Sequence, residues 1–320
     1  MWVNMKKVLV TGASGFIGRV LCAELLERKF AVRGVIRGSS NWDGGDGEVV
    51  KVEGMDDATE WTDAMEGVDI IIHLAARVHV MSDTVVDSLA EFRRVNTAGT
   101  EHLARCAAAN GVKRLVYASS IKVNGEETRG DKRFTEADAS APQDPYGVSK
   151  WEAEQALHRV AGETGLEVVI VRPPLVYGPG VRGNFINLLT AIDKGVPLPL
   201  AGANNVRSLI YVNNLVDALI VCATHPAAAG QTYLVSDGTD ISMAVLIKEI
   251  AHSLERNNRS FYLPPALLRA FASLSGRSDQ IERLLNSLRV DDKKIRDELG
   301  WIPPYTLKQG LRATADWFRN

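Results

Sequence analysis

The sequence predicts a doubly wound parallel sheet with helices on both faces, an α/β architecture carrying a smaller, mostly helical α/β domain. Three observations predict it. The chain opens on an apolar run ending in glycines spaced three apart, Val8 to Gly18, VLVTGASGFIG. Near-continuous apolar runs such as Val68 to Leu74, VDIIIHL, have the composition of strands buried on both faces. Such runs alternate with segments of helical periodicity, as a parallel sheet built from βαβ units requires.

The opening stretch carries its own chemistry. Gly12 permits a tight turn, Gly15 lets the backbone approach a pyrophosphate, and Gly18 lets the following helix pack close to the strand, which is the dinucleotide-binding fingerprint of a Rossmann sheet. The helix amino terminus then faces the anion. Ser14, Phe16 and Ile17 complete the candidate cofactor-binding set in this loop.

With 320 residues, 46% hydrophobic and 24% charged, the chain is long enough for one large domain and a smaller one. A formal net charge of -2 leaves no electrostatic footprint for nucleic acid or an anionic membrane surface, so small-molecule chemistry is expected. Cys22, Cys106 and Cys222 are odd in number and have no CxxC partner, the pattern of unpaired thiols in a reducing compartment. The chain runs almost directly into its first strand, without room for a signal peptide. Phe261 to Leu274 is too short to span a bilayer, so a cytoplasmic protein without an integral membrane segment is expected.

Ile17, Val20, Leu21, Leu25 and Leu26 mark one face of a helix ending near Lys29. A strand over Ala31 to Ile36 delivers Arg37 about twenty residues past the last glycine, where such a fold selects its cofactor. An acidic residue there binds the 2′-hydroxyl of NAD, whereas an arginine pairs with the 2′-phosphate of NADP, with Ser39 and Ser40 as hydroxyl donors. NADP(H) is therefore expected and NAD(H) is the alternative; a solvated surface arginine is the plain reading of the same residue. After the polar loop Ser39 to Gly47 comes a strand over Glu48 to Val52. Asp56 or Asp57 beyond it reaches toward an adenine amino group or caps a helix.

The run Val68 to Leu74 ends in Ala75 and Ala76, small side chains where the backbone passes the cofactor. His73 within it reads as a hydrogen-bonded core histidine, and no other His, Cys or carboxylate set has metal spacing, so no metal is expected. Ser88 to Ala109 has helical periodicity and contains Asn96 and Thr100. A strand over Leu115 to Ala118 delivers Ser119 and Ser120 at a carboxyl edge, where open α/β sheets bind ligands. Glu126 to Asp144 reads as a loop over the site. Tyr146 to Lys150, YGVSK, then opens a helix, and its spacing of four puts tyrosine and lysine on one face. A nearby ammonium stabilises phenolate and brings the tyrosine pKa toward neutrality, although on their own such pairs are common on helix surfaces.

Val168 to Val171 supplies another strand, closed by Pro173 and Pro174 ahead of a loop through Tyr177. Helices are expected over Phe185–Lys194, Leu215–Thr224, Met243–Leu254, Leu267–Leu274, Asp291–Leu299 and Leu307–Phe318, with strands near Ser208–Val212 and Tyr233–Val235. The expected division is a dinucleotide-binding domain over 1–175, with 206–236 returning to it, and a substrate domain built mainly from 176–320.

Together the motifs resemble those of extended short-chain dehydrogenase/reductases of the nucleotide-sugar epimerase and dehydratase type. The resemblance spans GASGFIG, HLAA at His73 to Ala76, VNTAGT at Val95 to Thr100, SSIKVNG at Ser119 to Gly125, YGVSK, RPPLVYGP at Arg172 to Pro179, RSLIYVNNLVDA at Arg207 to Ala218 and LGWIPPYTLKQGL at Leu299 to Leu311. It implies Ser120, Tyr146 and Lys150 as a catalytic trio. It implies Leu74, Ala75, Ala76, Asn96 and Pro173 near the cofactor, Arg207 and Arg289 toward a sugar-nucleotide diphosphate, and Asn184 on the substrate. Arg77 and His79 are placed to reach the hexose or an acyl substituent, or belong to a solvated loop.

Departures narrow the reaction. Where dehydratases of this type carry an acidic pair after the serine, this chain has Ile121 and Lys122, which argues against dehydration. Asn124 replaces the aromatic of the VYG element, Leu175 replaces the asparagine of the RxxN element, and Arg37 replaces the acid of typical epimerases. HLAARVHVM and SSIKVNGE resemble a bacterial group holding both UDP-glucose 4-epimerases and 4-reductases of 4-keto-6-deoxy-N-acetylhexosamine nucleotides, which serve surface-polysaccharide synthesis. The implied activity is reduction of a 4-keto UDP-sugar by a homodimer. The alternative is an NAD-dependent UDP-hexose 4-epimerase, and a non-catalytic dinucleotide sensor is a third reading against which the retained Tyr146 and Lys150 stand.

Overall fold

The computed structural model describes residues 5–38, 40, 42, 44–78, 88–264, 267 and 285–320. Seven parallel strands form the main sheet in the order β3-β2-β1-β4-β5-β6-β9. They are β1 (Lys7–Thr11), β2 (Ala31–Arg37), β3 (Glu48–Val52), β4 (Ile70–His73), β5 (Arg114–Ala118), β6 (Glu167–Arg172) and β9 (Thr232–Leu234). The doubly wound sheet is as the sequence predicts. Strand order reverses between β1 and β4, and that is where an open α/β sheet leaves a crevice at its carboxyl ends.

Alternation along each strand divides the apolar side chains between two cores. Val8, Val10, Ile70, Ile72, Val116, Val169 and Val171 pack on one face, against α1 (Phe16–Glu27), α7 (Val212–Thr224) and α9 (Lys293–Leu299). Leu9, Ile71, Leu115, Tyr117, Val168 and Ile170 pack on the other, against α4 (Gly99–Ala109) and α5 (Pro145–Thr164). Burial of each such aliphatic side chain contributes about 1.5–3 kcal/mol, which is why these strands read as continuous apolar runs.

Helix α5 shows how local sequence fixes an element. Asp144 caps it by accepting from the Gly147 amide at 2.7 Å, Pro145 fills the first turn, and Gly165 ends it in a left-handed conformation. The segment 88–109 is helical as expected, but α3 (Ser88–Phe92) and α4 are joined by a π-helical turn over Arg93–Ala98 that contains Asn96. The short α2 spans Thr62–Met65.

A second sheet has the order β10-β8-β7, from β7 (Leu175–Tyr177), β8 (Val206–Tyr211) and β10 (Asp240–Ser242). It is packed with α6 (Asn184–Asp193), α8 (Met243–Ser253) and α10 (Leu307–Arg319) around Phe185, Leu189, Leu209, Met243, Ile247 and Leu311. Of the segment 206–236, β9 joins the main sheet while β8 is the centre of the small one. The sequence leaves 175–177 as loop after the proline pair. The prolines do close β6, but the chain then pairs with β8 in parallel as a three-residue edge strand, too short to show alternation. β10 is hidden for the same reason. The expected helix Leu267–Leu274 lies outside the described residues apart from Leu267. Among the described residues no helix is long and apolar enough to cross a membrane.

Candidate functional site

Two clefts lie along the carboxyl edge of the main sheet. The first is lined by Gly12, Ser14 and Gly15 after β1, by Arg37 at the end of β2 and Ser40 beyond it, by Leu74, Ala75 and Ala76 after β4, and by Met55 and Val95. Gly12 has φ +71°, and a Cβ there would stand 3.0 Å from the Ala75 amide nitrogen. A Cβ on Gly18 would stand 2.1 Å from the Gly12 carbonyl oxygen, so only glycine lets α1 approach the loop this closely. Gly15 leads into helix α1 without a side-chain cap, and Phe16 and Ile17 open its first turn, Ile17 packing against the core. This bare backbone at a helix amino terminus fits a pyrophosphate.

Buried polar contacts hold the cleft floor. The Thr11 hydroxyl accepts from the Ala75 amide at 3.2 Å and meets His73 Nδ1 at 2.6 Å, while His73 Nε2 meets the Thr100 hydroxyl at 2.9 Å. Burial, followed by the Lys150 ammonium, pushes the His73 pKa down to about 3. It is a neutral core histidine at physiological pH. Asn96 accepts from the Arg77 amide at 2.7 Å and donates to the Arg77 carbonyl and to Ser149 Oγ, each at 3.0 Å. It thus fastens the loop after β4 to helix α5. Two expectations change here. Asp56 pairs with Arg94 and accepts from the Ala58 amide, and the residue facing the cleft is its neighbour Met55. Arg77 has its guanidinium carbon 5.8 Å from the Phe92 ring centroid and is not among the residues lining either cleft. His79 and Ser39 lie outside the described residues.

The second cleft, of about 380 Å³, has two unlike walls, and this volume is within the range of small-molecule sites. One wall comes from the main sheet: Ser120, Ile121, Lys122, Glu126 and Tyr146. The other comes from the small sheet and its helices: Arg207, Asn184, and apolar groups that include Leu175, Phe185, Leu209 and Met243. Burial lowers the Arg207 pKa from its ordinary value, with Glu126 opposing. Arg289, expected at a diphosphate, is instead bonded through Nε to Asp240 at 2.9 Å and through NH1 to Asp131 at 3.3 Å. Its neighbour Leu288 faces the cleft. Pro173 is buried, and its carbonyl accepts from the Ile121 amide at 3.0 Å, anchoring the turn after Ser120. The loop 126–144 is stitched to the distant chain by amide bonds from Thr128 to Ser287 and from Phe134 to Arg289, at 2.7 and 2.8 Å.

Ser119 and Ser120 leave β5 in opposite directions. Ser119 is buried and donates to Glu154 at 2.5 Å, whereas Ser120 lines the cleft with Tyr146 and accepts from the Lys122 amide at 3.3 Å. Glu154 and Arg172 form a buried two-point ion pair at 2.9 and 2.5 Å, and Arg172 also donates to Asn124 at 2.9 Å. Asn124, in place of the usual aromatic, therefore completes the shell of a buried arginine. Sequence reasoning missed Glu154, although Tyr146, Lys150 and Glu154 repeat at intervals of four along one face of α5.

The electrostatics differ from expectation. Lys150 is buried with its ammonium 4.0 Å from the Tyr117 ring centroid, and burial brings its pKa down to about 7 against the opposing pull of Glu154. Tyr146 is pushed up to about 12, by burial first and by Asp144 second. A lysine that is itself costly to charge in this interior depresses its neighbour little, so Tyr146 here is a phenol, suited to donating a proton.

A glycine-cradled cleft opening beside a serine, tyrosine and lysine at the edge of a parallel sheet defines a dinucleotide-binding oxidoreductase of the short-chain dehydrogenase/reductase type. The model of the family described as "NAD dependent epimerase/dehydratase family" matches residues 8–236, and the chain belongs to that family. It is similar to a UDP-glucose 4-epimerase of Vibrio cholerae, 42% identical over 315 residues that cover 98% of this chain and 95% of the relative. Among solved structures it is similar to MoeE5 in complex with UDP-glucuronic acid and NAD, with a TM-score of 0.78 and 27% identity over 98% of this chain and 99% of the other. It also shares its fold with a UDP-glucose 4-epimerase of Thermotoga maritima, with a TM-score of 0.79 and 23% identity over 98% of each chain.

Proposed function

We propose that this enzyme reduces the C4 carbonyl of a 4-keto-6-deoxy UDP-sugar with NADPH, for surface-polysaccharide synthesis. The observation that carries this reading is Arg37, which ends β2 and lines the first cleft with Ser40, where an NAD enzyme needs a carboxylate. When bound, the nicotinamide supplies hydride to C4, and the glycine loop, Ala75 and Ala76 hold the dinucleotide. Tyr146 gives its phenolic proton to the oxygen that gains charge, and the Ser120 hydroxyl fixes that oxygen. Lys150 holds the nicotinamide ribose. Arg207 and Asn184 receive the nucleotide part, whose base faces the apolar wall. Helices α3, α4 and α5, which expose Trp151 at 37%, are the proposed homodimer face.

The likeness to a UDP-glucose 4-epimerase supports a second reading, in which the same trio works with a retained NAD. Arg37 discriminates between them. Arg37→Asp is expected to cut the preference for NADPH over NADH by at least about tenfold, the loss of a charge-assisted phosphate contact. Equal affinities for both cofactors, before and after the substitution, would contradict the reading.

A further inference from the structure

We propose that Lys122 is a positioning residue for the chemistry at Tyr146: its ammonium neutralises the Asp144 carboxylate that caps the helix bearing the tyrosine. The inference rests on the C4 reaction proposed above and adds a residue to it. Asp144 lies two positions before Tyr146, and its two oxygens are divided. Oδ1 accepts from the Gly147 amide at 2.7 Å as the helix cap, and Oδ2 receives Lys122 Nζ. Lys122 also donates to Glu126 at 3.2 Å, and both line the cleft with Ser120 and Tyr146.

A carboxylate near a half-buried phenol opposes its ionisation and weakens it as an acid. Asp144 is needed as the cap of α5, and its charge is the second cause, after burial, of the high Tyr146 pKa. An ammonium on Oδ2 opposes that field while leaving the cap on Oδ1 intact. The other charged or titratable groups around the phenol are Lys150 and Glu154 on the same helix, His73 on β4 and Tyr117 on β5, with Glu126 on the same wall of the cleft and Arg207 across it. Lys122, at 30% side-chain exposure, is too solvated for its ion pairs to contribute much to folding. Its effect is therefore expected in catalysis. Lys122 thus acts on the tyrosine through the cap of its helix, from the same wall of the cleft.

The test is a double-mutant cycle in the enzyme supplied with NADPH and a 4-keto-6-deoxy UDP-sugar. Lys122→Met is expected to lower kcat about tenfold with KM nearly unchanged, and to move the alkaline limb of the pH profile upward, the direction for an acid made weaker. Lys122→Arg keeps the charge and returns the profile toward wild type. Asn caps a helix as well as Asp does, so in the Asp144→Asn background Lys122→Met changes kcat less than about twofold. An equal loss in both backgrounds, or a loss confined to KM, overturns the proposal and puts Lys122 on the substrate. If the wild type turns over no nucleotide sugar, the reaction assigned above fails instead. The pair is then read by magnetic resonance of isotope-labelled tyrosine, with the Tyr146 signal assigned by its loss in Tyr146→Phe. Asp144→Asn should lower, and Lys122→Met raise, the pH at which the phenol begins to ionise; no difference between Lys122→Met and wild type overturns the proposal.

Discussion

Tyr146→Phe lowers kcat by about 10²–10⁴-fold, the usual contribution of a positioned general acid, while NADPH and substrate binding change little. The substitution removes one hydroxyl and keeps the ring, whose edge meets Phe92 at a centroid distance of 6.1 Å, so the wall of the cleft is retained. Tyr146 is a phenol with a pKa near the upper end of its range, about 12. It is therefore protonated through the neutral range. Activity in the reductive direction should be flat there and fall only as pH rises through the pKa it has in the complex. Steady-state kinetics on the two proteins over pH measures both effects. Loss in KM alone would move Tyr146 from proton transfer to substrate binding.

Arg172→Met destabilises the fold by about 3–5 kcal/mol, because it leaves the Glu154 carboxylate buried without its ion-pair partner. Glu154 has 1% and Arg172 8% of its side chain exposed, so solvent does not screen this loss as it does at surface pairs. The same Glu154 holds Ser119 and raises the Lys150 pKa against burial, so the damage extends to the site. Replacing both partners, Arg172→Met with Glu154→Leu, should recover much of the stability and none of the support for Lys150. Denaturant unfolding of the three proteins checks the ordering; equal stability of the single variant and wild type would show that the pair is solvated.

The sequence shows most of what is local. The glycine loop, the capped helix of Tyr146 and the paired serines after β5 are legible because turn chemistry and side-chain periodicity act over a few residues. What depends on distant partners is not. Arg289 has the charge for a diphosphate, but Asp240 and Asp131 lie 49 and 158 residues away in the chain and take its guanidinium. Asp56 has a carboxylate at the expected distance from β3, but Arg94 holds it and Met55 faces the cleft. The acidity of Tyr146 is likewise set by burial, a property of the assembled fold, more than by the lysine four residues on. Arg37 and Ser120 are legible and line the first and second clefts, because Arg37 ends β2 and Ser120 lies two residues past the end of β5.

The most direct measurement follows nicotinamide absorbance and sugar product in two incubations of the purified enzyme. One holds NADPH with a 4-keto-6-deoxy UDP-sugar, and the other holds UDP-galactose without added cofactor. Stoichiometric oxidation of NADPH with formation of the 4-hydroxy sugar in the first, and no change in the second, is the predicted result. Conversion of UDP-galactose to its C4 epimer without added cofactor, with no NADPH consumed in the first incubation, would contradict it.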